Sequence, residues 1–188
     1  LKLGLDGRGG FLLESVEGGA VRGRYSLLGL APDLVWRAQG NACEANRRFQ
    51  DDPDAFAPCA GGTLEELRKL VAGIRMELPA ALPSALSLLV GYMGYETAAL
   101  VEKLPAPKAD PLGVPDMLFM RPTLLLVFDR LKDELFIVAP AFPDGRSAEA
   151  QYRAACERIG ALPGLRKPLS GLAQLESLSG MPNPWVRA

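Results

Sequence analysis

Phe11-Leu12-Leu13-Glu14-Ser15-Val16-Glu17-Gly18-Gly19, followed by Arg22-Gly23-Arg24-Tyr25-Ser26-Leu27-Leu28-Gly29, is the stretch whose reading sets the fold. Phe11, Leu12 and Leu13 read as a short buried strand, Gly18-Gly19 as a turn, and Tyr25, Leu27 and Leu28 as a returning strand. Strands joined this way form an antiparallel hairpin whose polar end collects Glu14, Ser15, Arg24 and Ser26. A carboxylate, a guanidinium and two hydroxyls offer acceptors for an ammonium group and donors for a carboxylate, so a zwitterionic amino acid is a fitting guest. An ordinary salt-bridged hairpin uses the same residues, and the stretch alone leaves both readings open.

Outward from this hairpin, Leu34 to Gln39, a Gly40-Asn41 turn and Ala42 to Arg47 read as a second hairpin. Asp51 to Gly62 is a loop by composition. Thr63 with Glu66 has the spacing of a capping box, and Leu64, Leu67, Val71, Ile74 and Leu78 form the apolar stripe of a helix that Pro79 and Pro83 end. Leu86 to Tyr92 reads as a buried strand, with Gly91 and Gly94 marking close approach of another backbone. A short helix is expected over Thr97 to Leu104, and four prolines stiffen the loop from Pro105 to Pro115. Leu118 to Asp129 and Glu134 to Ala139 read as a third hairpin, largely buried, turning at Arg130 to Asp133. Ser147 caps a last helix with Ala148, Tyr152, Cys156 and Ile159 on one side. The expected fold is α+β: an antiparallel sheet built from hairpins with two or three packed helices. Residues 1–160 are taken as one domain and 161–188 as an irregular tail, because Pro-Gly and Ser-Gly pairs there replace any period.

The chain has 188 residues, 48% of them hydrophobic and 23% charged, with a net charge of −1, so it can bury one sizeable core. No basic stripe argues for nucleic acid, no apolar run approaches the roughly 20 residues of a membrane span, and no secretory leader is visible; cytoplasm is the default expectation. Cys43, Cys59 and Cys156 lack the short paired spacing of zinc sites and read as reduced structural residues. Histidine is absent, which removes the commonest general base. Glu65-Glu66 falls in the first turn of a helix and Asp51-Asp52 in a loop, so neither acidic pair reads as catalytic. Trp36 reads as core, and Gly61-Gly62-Thr63 lacks the lysine and spacing of a phosphate loop.

Several segments together carry a resemblance. Leu12 to Asp33, Gly91-Tyr92-Met93-Gly94-Tyr95-Glu96, Val101 to Pro105, Pro115-Asp116, and Arg121-Pro122-Thr123 through Val127-Phe128-Asp129 follow one another as they do in the N-terminal domain of anthranilate synthase component I. The chain resembles that family from about residue 10 to about residue 140. The resemblance implies a regulatory domain of an enzyme that makes anthranilate from chorismate and glutamine-derived ammonia. L-tryptophan is its implied effector, and a glutamine amidotransferase subunit its implied partner. It implies that Leu13, Glu14 and Ser15 line the tryptophan pocket, completed by Arg24 with Tyr25 and Ser26. In the family the other wall is an Asn-Pro-Ser-Pro-Tyr-Met type segment of the catalytic domain. Here only Asn183-Pro184-Trp185 echoes it. That catalytic domain, where Mg²⁺ is expected, does not follow, and Leu1 is not methionine. The chain thus reads as a piece truncated at both ends, without catalytic residues, metal or cofactor of its own and inactive alone. Aminodeoxychorismate synthase component I, a folate-pathway relative, and a pure interaction module for the amidotransferase are the competing readings.

Overall fold

The structure, a computed structural model, describes residues 9–14, 23–74, 78–80, 82–83, 86, 88–105, 110 and 112–162. The described residues fall into two compact units, one within residues 9–140 and the other within residues 141–162. Among the described residues the first carries seven strands: β1 (Phe11–Leu13), β2 (Tyr25–Gln39), β3 (Ala42–Asn46), β4 (Ala57–Pro58), β5 (Val90–Met93), β6 (Met117–Asp129) and β7 (Glu134–Val138). It also holds helix α1 (Thr63–Ala72) and a 3₁₀ helix (Tyr95–Leu100). The second holds α2 (Ala148–Gly160), whose first turn is capped by the Ser147 hydroxyl accepting from Ala150 N–H at 3.3 Å.

β2 and β6 are the spine of an α+β fold with an entirely antiparallel sheet. They pair from Tyr25↔Asp129 to Ala38↔Met117. One end of the spine is flanked by β1 on β2 and β7 on β6, the other by β3 on β2 and β5 on β6, with β4 outside β3. Proline cannot donate to a ladder, so Ala31-Pro32-Asp33 would ordinarily interrupt a strand such as β2. The strand runs on because Pro32 faces Pro122, so neither partner needs the missing N–H, and Asp33 is accommodated by a bulge. Ala31 sits in the left-handed region at φ 48°. Its carbonyl accepts from the Thr123 hydroxyl at 2.6 Å, and Asp33 holds Arg121 through two bonds of 2.8 Å. The extra residue also reverses the side-chain parity of β2, so that Leu27 before it and Leu34, Trp36 and Ala38 after it share a face with the odd-numbered residues of β6.

Two buried clusters sit along that face. Leu34, Trp36, Ala38, Cys43 and Met117 form one, covered by Leu64, Leu67 and Leu70 of α1. Leu27, Leu86, Leu125 and Val127 form the other, joined by Phe11, Tyr25 and Phe136. Trp36 is core, as its sequence context suggested. The helix stripe was misplaced at its C-terminal end: α1 stops at Ala72, Leu70 packs half-buried against the cluster, and Val71 and Leu78 are exposed. The capping box is absent as well. Gly62 is the N-cap, and Thr63 is fully buried with its hydroxyl donated to the Gly40 carbonyl at 2.8 Å. A free helix N–H is taken instead by Asn41 of the β2–β3 turn, whose Oδ1 accepts from Thr63 N–H at 3.1 Å.

The strand expected at Leu86 to Tyr92 is confined to β5 and lies at a sheet edge, with Tyr92 and Met93 exposed. β7 is also more exposed than expected, at Glu134 and Leu135. The short helix begins at Tyr95 and is 3₁₀ in form. Close backbone approach at Gly91 does occur: a β-carbon there would lie 1.9 Å from the Leu118 carbonyl oxygen. Among the described residues no helix is long and apolar enough to cross a membrane.

Candidate functional site

Pairing of β1, β2, β6 and β7 puts Ser26 opposite Phe128 and Phe128 opposite Leu135 in one row across the sheet. Leu12 stands one step along, opposite Leu28. These side chains share the face turned away from the two clusters and floor an open cleft of about 350 Å³. Leu12, Phe128 and Leu135 are 53%, 37% and 47% exposed, a concentration of apolar surface that a strand pair seldom presents to water without use. Glu14, Asp129, Arg130, Asp133 and Glu134 make the rim. The size falls at the lower end of the roughly 300–1,000 Å³ usual for small-molecule sites.

Ser26 is buried, and its Oγ has no hydrogen-bond partner among the described residues. An orphaned buried hydroxyl is destabilising, so an incoming donor or acceptor that satisfies it gains more than an exposed contact would. Glu14 lies half-exposed beside it and accepts from the Arg130 guanidinium at 3.0 Å. The cleft therefore offers a carboxylate and a guanidinium above an apolar floor, with the Ser26 hydroxyl buried beneath it.

The Asp129 carboxylate fixes the turn that forms one wall. It takes Arg24 through Nε at 2.8 Å and Nη2 at 2.6 Å, and accepts from the Leu131 and Lys132 N–H groups at 3.1 and 3.3 Å. The Arg24 guanidinium, helped by those two N–H groups and opposed by burial, brings the Asp129 carboxyl down from its ordinary 3.8 to about 2. A carboxyl depressed in the folded state gives stability that is present above its ordinary value and lost as pH falls toward the folded one. Asp129→Asn is accordingly expected to lower stability at neutral pH and to flatten the loss of stability between pH 4 and 2, as read by urea midpoints across that range. Asp144 of the other unit, also brought to about 2 by Arg146, keeps its share of the acid response in that variant.

The residues singled out in the sequence are thus placed differently from one another. Glu14 and Ser26 meet in the cleft. Leu13, paired with Leu27, points to the opposite face from Leu12. Arg24 lies outside the cleft lining, with its guanidinium committed to Asp129 and stacked over the Tyr25 ring at 4.8 Å. Tyr25 packs against the Leu27 cluster. Ser15 falls outside the described residues. Phe128, Arg130 and Leu135 were not foreseen, because they come from a hairpin more than 100 positions away (Glu14 and Arg130 are separated by 116). Their one legible signal was the polar turn between two apolar strands.

The fold places the chain in a class. A crystal structure of anthranilate synthase component I from Streptococcus pneumoniae superposes with a TM-score of 0.57 over 82% of this chain and 32% of that one, at 21% identity, which establishes a shared fold. The sequence comparison is more specific. Anthranilate synthase component 1 of Cereibacter sphaeroides is 48% identical over 150 residues, covering 79% of this chain and 30% of the relative. The Pseudomonas putida protein of the same name is 34% identical over 179 residues, 90% of this chain and 34% of its own length. No family model matches the chain. The chain belongs, over the part it spans, to the anthranilate synthase component I family of enzymes, and it spans about a third of the length of these curated relatives.

Proposed function

We propose that this chain is the regulatory, tryptophan-binding portion of an anthranilate synthase component I, and that the cleft holding Ser26 receives the effector. The observation that carries this reading is the unpartnered, buried Ser26 hydroxyl on an apolar floor, rimmed by the Glu14–Arg130 pair. An α-amino acid presents opposite charges on one carbon. Its ammonium replaces Arg130 at Glu14, its carboxylate takes the Arg130 guanidinium, and the buried Ser26 hydroxyl rotates into the cleft to bond the carboxylate edge. The indole then covers Leu12, Phe128 and Leu135, removing apolar area from water at about 25 cal/mol per Å².

In the whole enzyme this domain would act by linkage: tryptophan favours the arrangement in which the chorismate site works less well, and chorismate opposes tryptophan by the same factor in binding. Anthranilate formation from chorismate and ammonia, and association with a glutamine amidotransferase, belong to that longer protein. Among the described residues no three Cys, His, Asp or Glu side chains are placed to hold a metal ion.

Two substitutions test the site together. Ser26→Ala removes an unsatisfied buried hydroxyl, so the free protein gains stability, by roughly 1 kcal/mol, while tryptophan loses affinity. Glu14→Gln keeps the shape and removes the charge; the exposed ion pair contributes little to folding, but affinity falls roughly tenfold, equivalent to about 1.4 kcal/mol. Calorimetric titration with tryptophan and thermal unfolding without it read both quantities. Unchanged affinity in both variants would remove the cleft from consideration as the effector site.

A further inference from the structure

Cys43, the second residue of β3, and Cys59, which follows β4, face each other across the sheet. Glu44 pairs with Pro58 and Ala45 with Ala57, so Cys43 is opposite Cys59, and Cys59 N–H donates to the Cys43 carbonyl at 2.9 Å. Directly opposite residues of an antiparallel pair have β-carbons about 4.5–5.5 Å apart, and a disulfide asks for about 3.5–4.5 Å. The gap closes with a small adjustment at β4, a two-residue edge strand with a single neighbour. Both side chains also belong to the cluster around Trp36, Cys43 within it and buried, Cys59 packed against it and partly exposed.

We propose that Cys43 and Cys59 are a reversible oxidation site, at which a peroxide or a low-molecular-weight disulfide converts the two thiols into an intrachain cross-link. Oxidant reaches the more exposed Cys59 first. Its thiolate attacks a peroxide oxygen, the O–O bond breaks, and hydroxide leaves and is protonated to water, giving a sulfenic acid. The Cys43 sulfur then attacks the Cys59 sulfur, the S–O bond breaks, and the departing hydroxide takes up the Cys43 proton as a second water. Two thiols are oxidised and one peroxide is reduced to two waters. With oxidised glutathione the same two steps run through a mixed disulfide and release two glutathione thiols. Burial, with the neighbouring Cys59 thiol, pushes Cys43 up to about 11 and makes it a poor first target; its position opposite Cys59 is what carries the second, intramolecular step. The cross-link closes the segment 44–58 and so restricts the unfolded chain.

The test uses the purified 188-residue chain, treated under native conditions with oxidised glutathione or with hydrogen peroxide. Thiols are then alkylated and the peptides mapped by mass spectrometry without reduction. The expected result is a Cys43–Cys59 linked peptide, alkylation at Cys156 alone of the three cysteines, and full reversal by dithiothreitol. The cross-linked protein melts higher than the reduced one. In a Trp185→Phe background, Trp36 emission falls on oxidation, because the indole lies beside the Cys43 sulfur. In Cys43→Ala the reaction stops at a Cys59 sulfenic acid or glutathione adduct that dimedone or mass reveals. Alkylation of all three cysteines after oxidant, or linkage only between chains or only after unfolding, would overturn the proposal.

Discussion

Replacing Leu125 by alanine lowers the free energy of unfolding by about 2–5 kcal/mol, a large part of what holds a domain of this size. Leu125 is at the middle of β6, fully buried, between Gly29 of β2 and Val138 of β7. It belongs to the cluster with Leu27, Leu86 and Val127. The sheet backbone on both sides is hydrogen-bonded and cannot move inward to fill the space, so the variant loses the transfer energy of the side chain and keeps most of the cavity. Urea midpoints at neutral pH measure the loss. A change within about 0.5 kcal/mol, the range of an ordinary surface substitution, would mean that the β2–β6 spine is not the core.

Gly91→Ala detaches β5. The β-carbon would stand 1.9 Å from the Leu118 oxygen and 2.7 Å from the Phe119 α-carbon, and both are backbone atoms of the partner strand. No side-chain rotation relieves that overlap, so the ladder from Val90↔Met120 to Met93↔Met117 must open or shift, at a cost of at least the roughly 1–3 kcal/mol of overpacking. β5 is an edge strand, so the damage is local. Hydrogen exchange at β5 and the adjoining 3₁₀ helix is expected to rise toward the unfolded rate, while the β2–β6 amides stay protected. Uniform protection in the variant would place Gly91 outside a ladder.

Local pattern was enough to read the hairpins, the third hairpin's turn at Arg130 to Asp133 and the Ser147 cap, because each is specified by residues close together in sequence. What could not be read was anything decided by a distant partner. The continuity of β2 through Pro32 depends on Pro122, and the cap of α1 depends on Asn41, which displaces the capping box that Thr63 and Glu66 spell. The burial assigned to Leu86 to Tyr92 held at Leu86 and failed over β5, because apolar content does not say whether a strand has one neighbour or two. The site divides the same way. Glu14 and Ser26 were visible as polar residues in an apolar context, while Arg130, Phe128 and Leu135 enter only through the β2–β6 and β6–β7 registers. Arg24, chosen for its charge, is taken by Asp129, 105 residues on.

The cleft's role as a receptor for a zwitterionic aromatic amino acid is tested most directly by following backbone amide resonances of the chain during titration with L-tryptophan, and in parallel with indole. The account predicts saturable shifts at Glu14, Ser26, Phe128, Arg130 and Leu135 with L-tryptophan, and much weaker ones with indole, which lacks both charges. Saturable L-tryptophan shifts confined to other residues, equal responses to indole, or no saturable response at these five positions would contradict it.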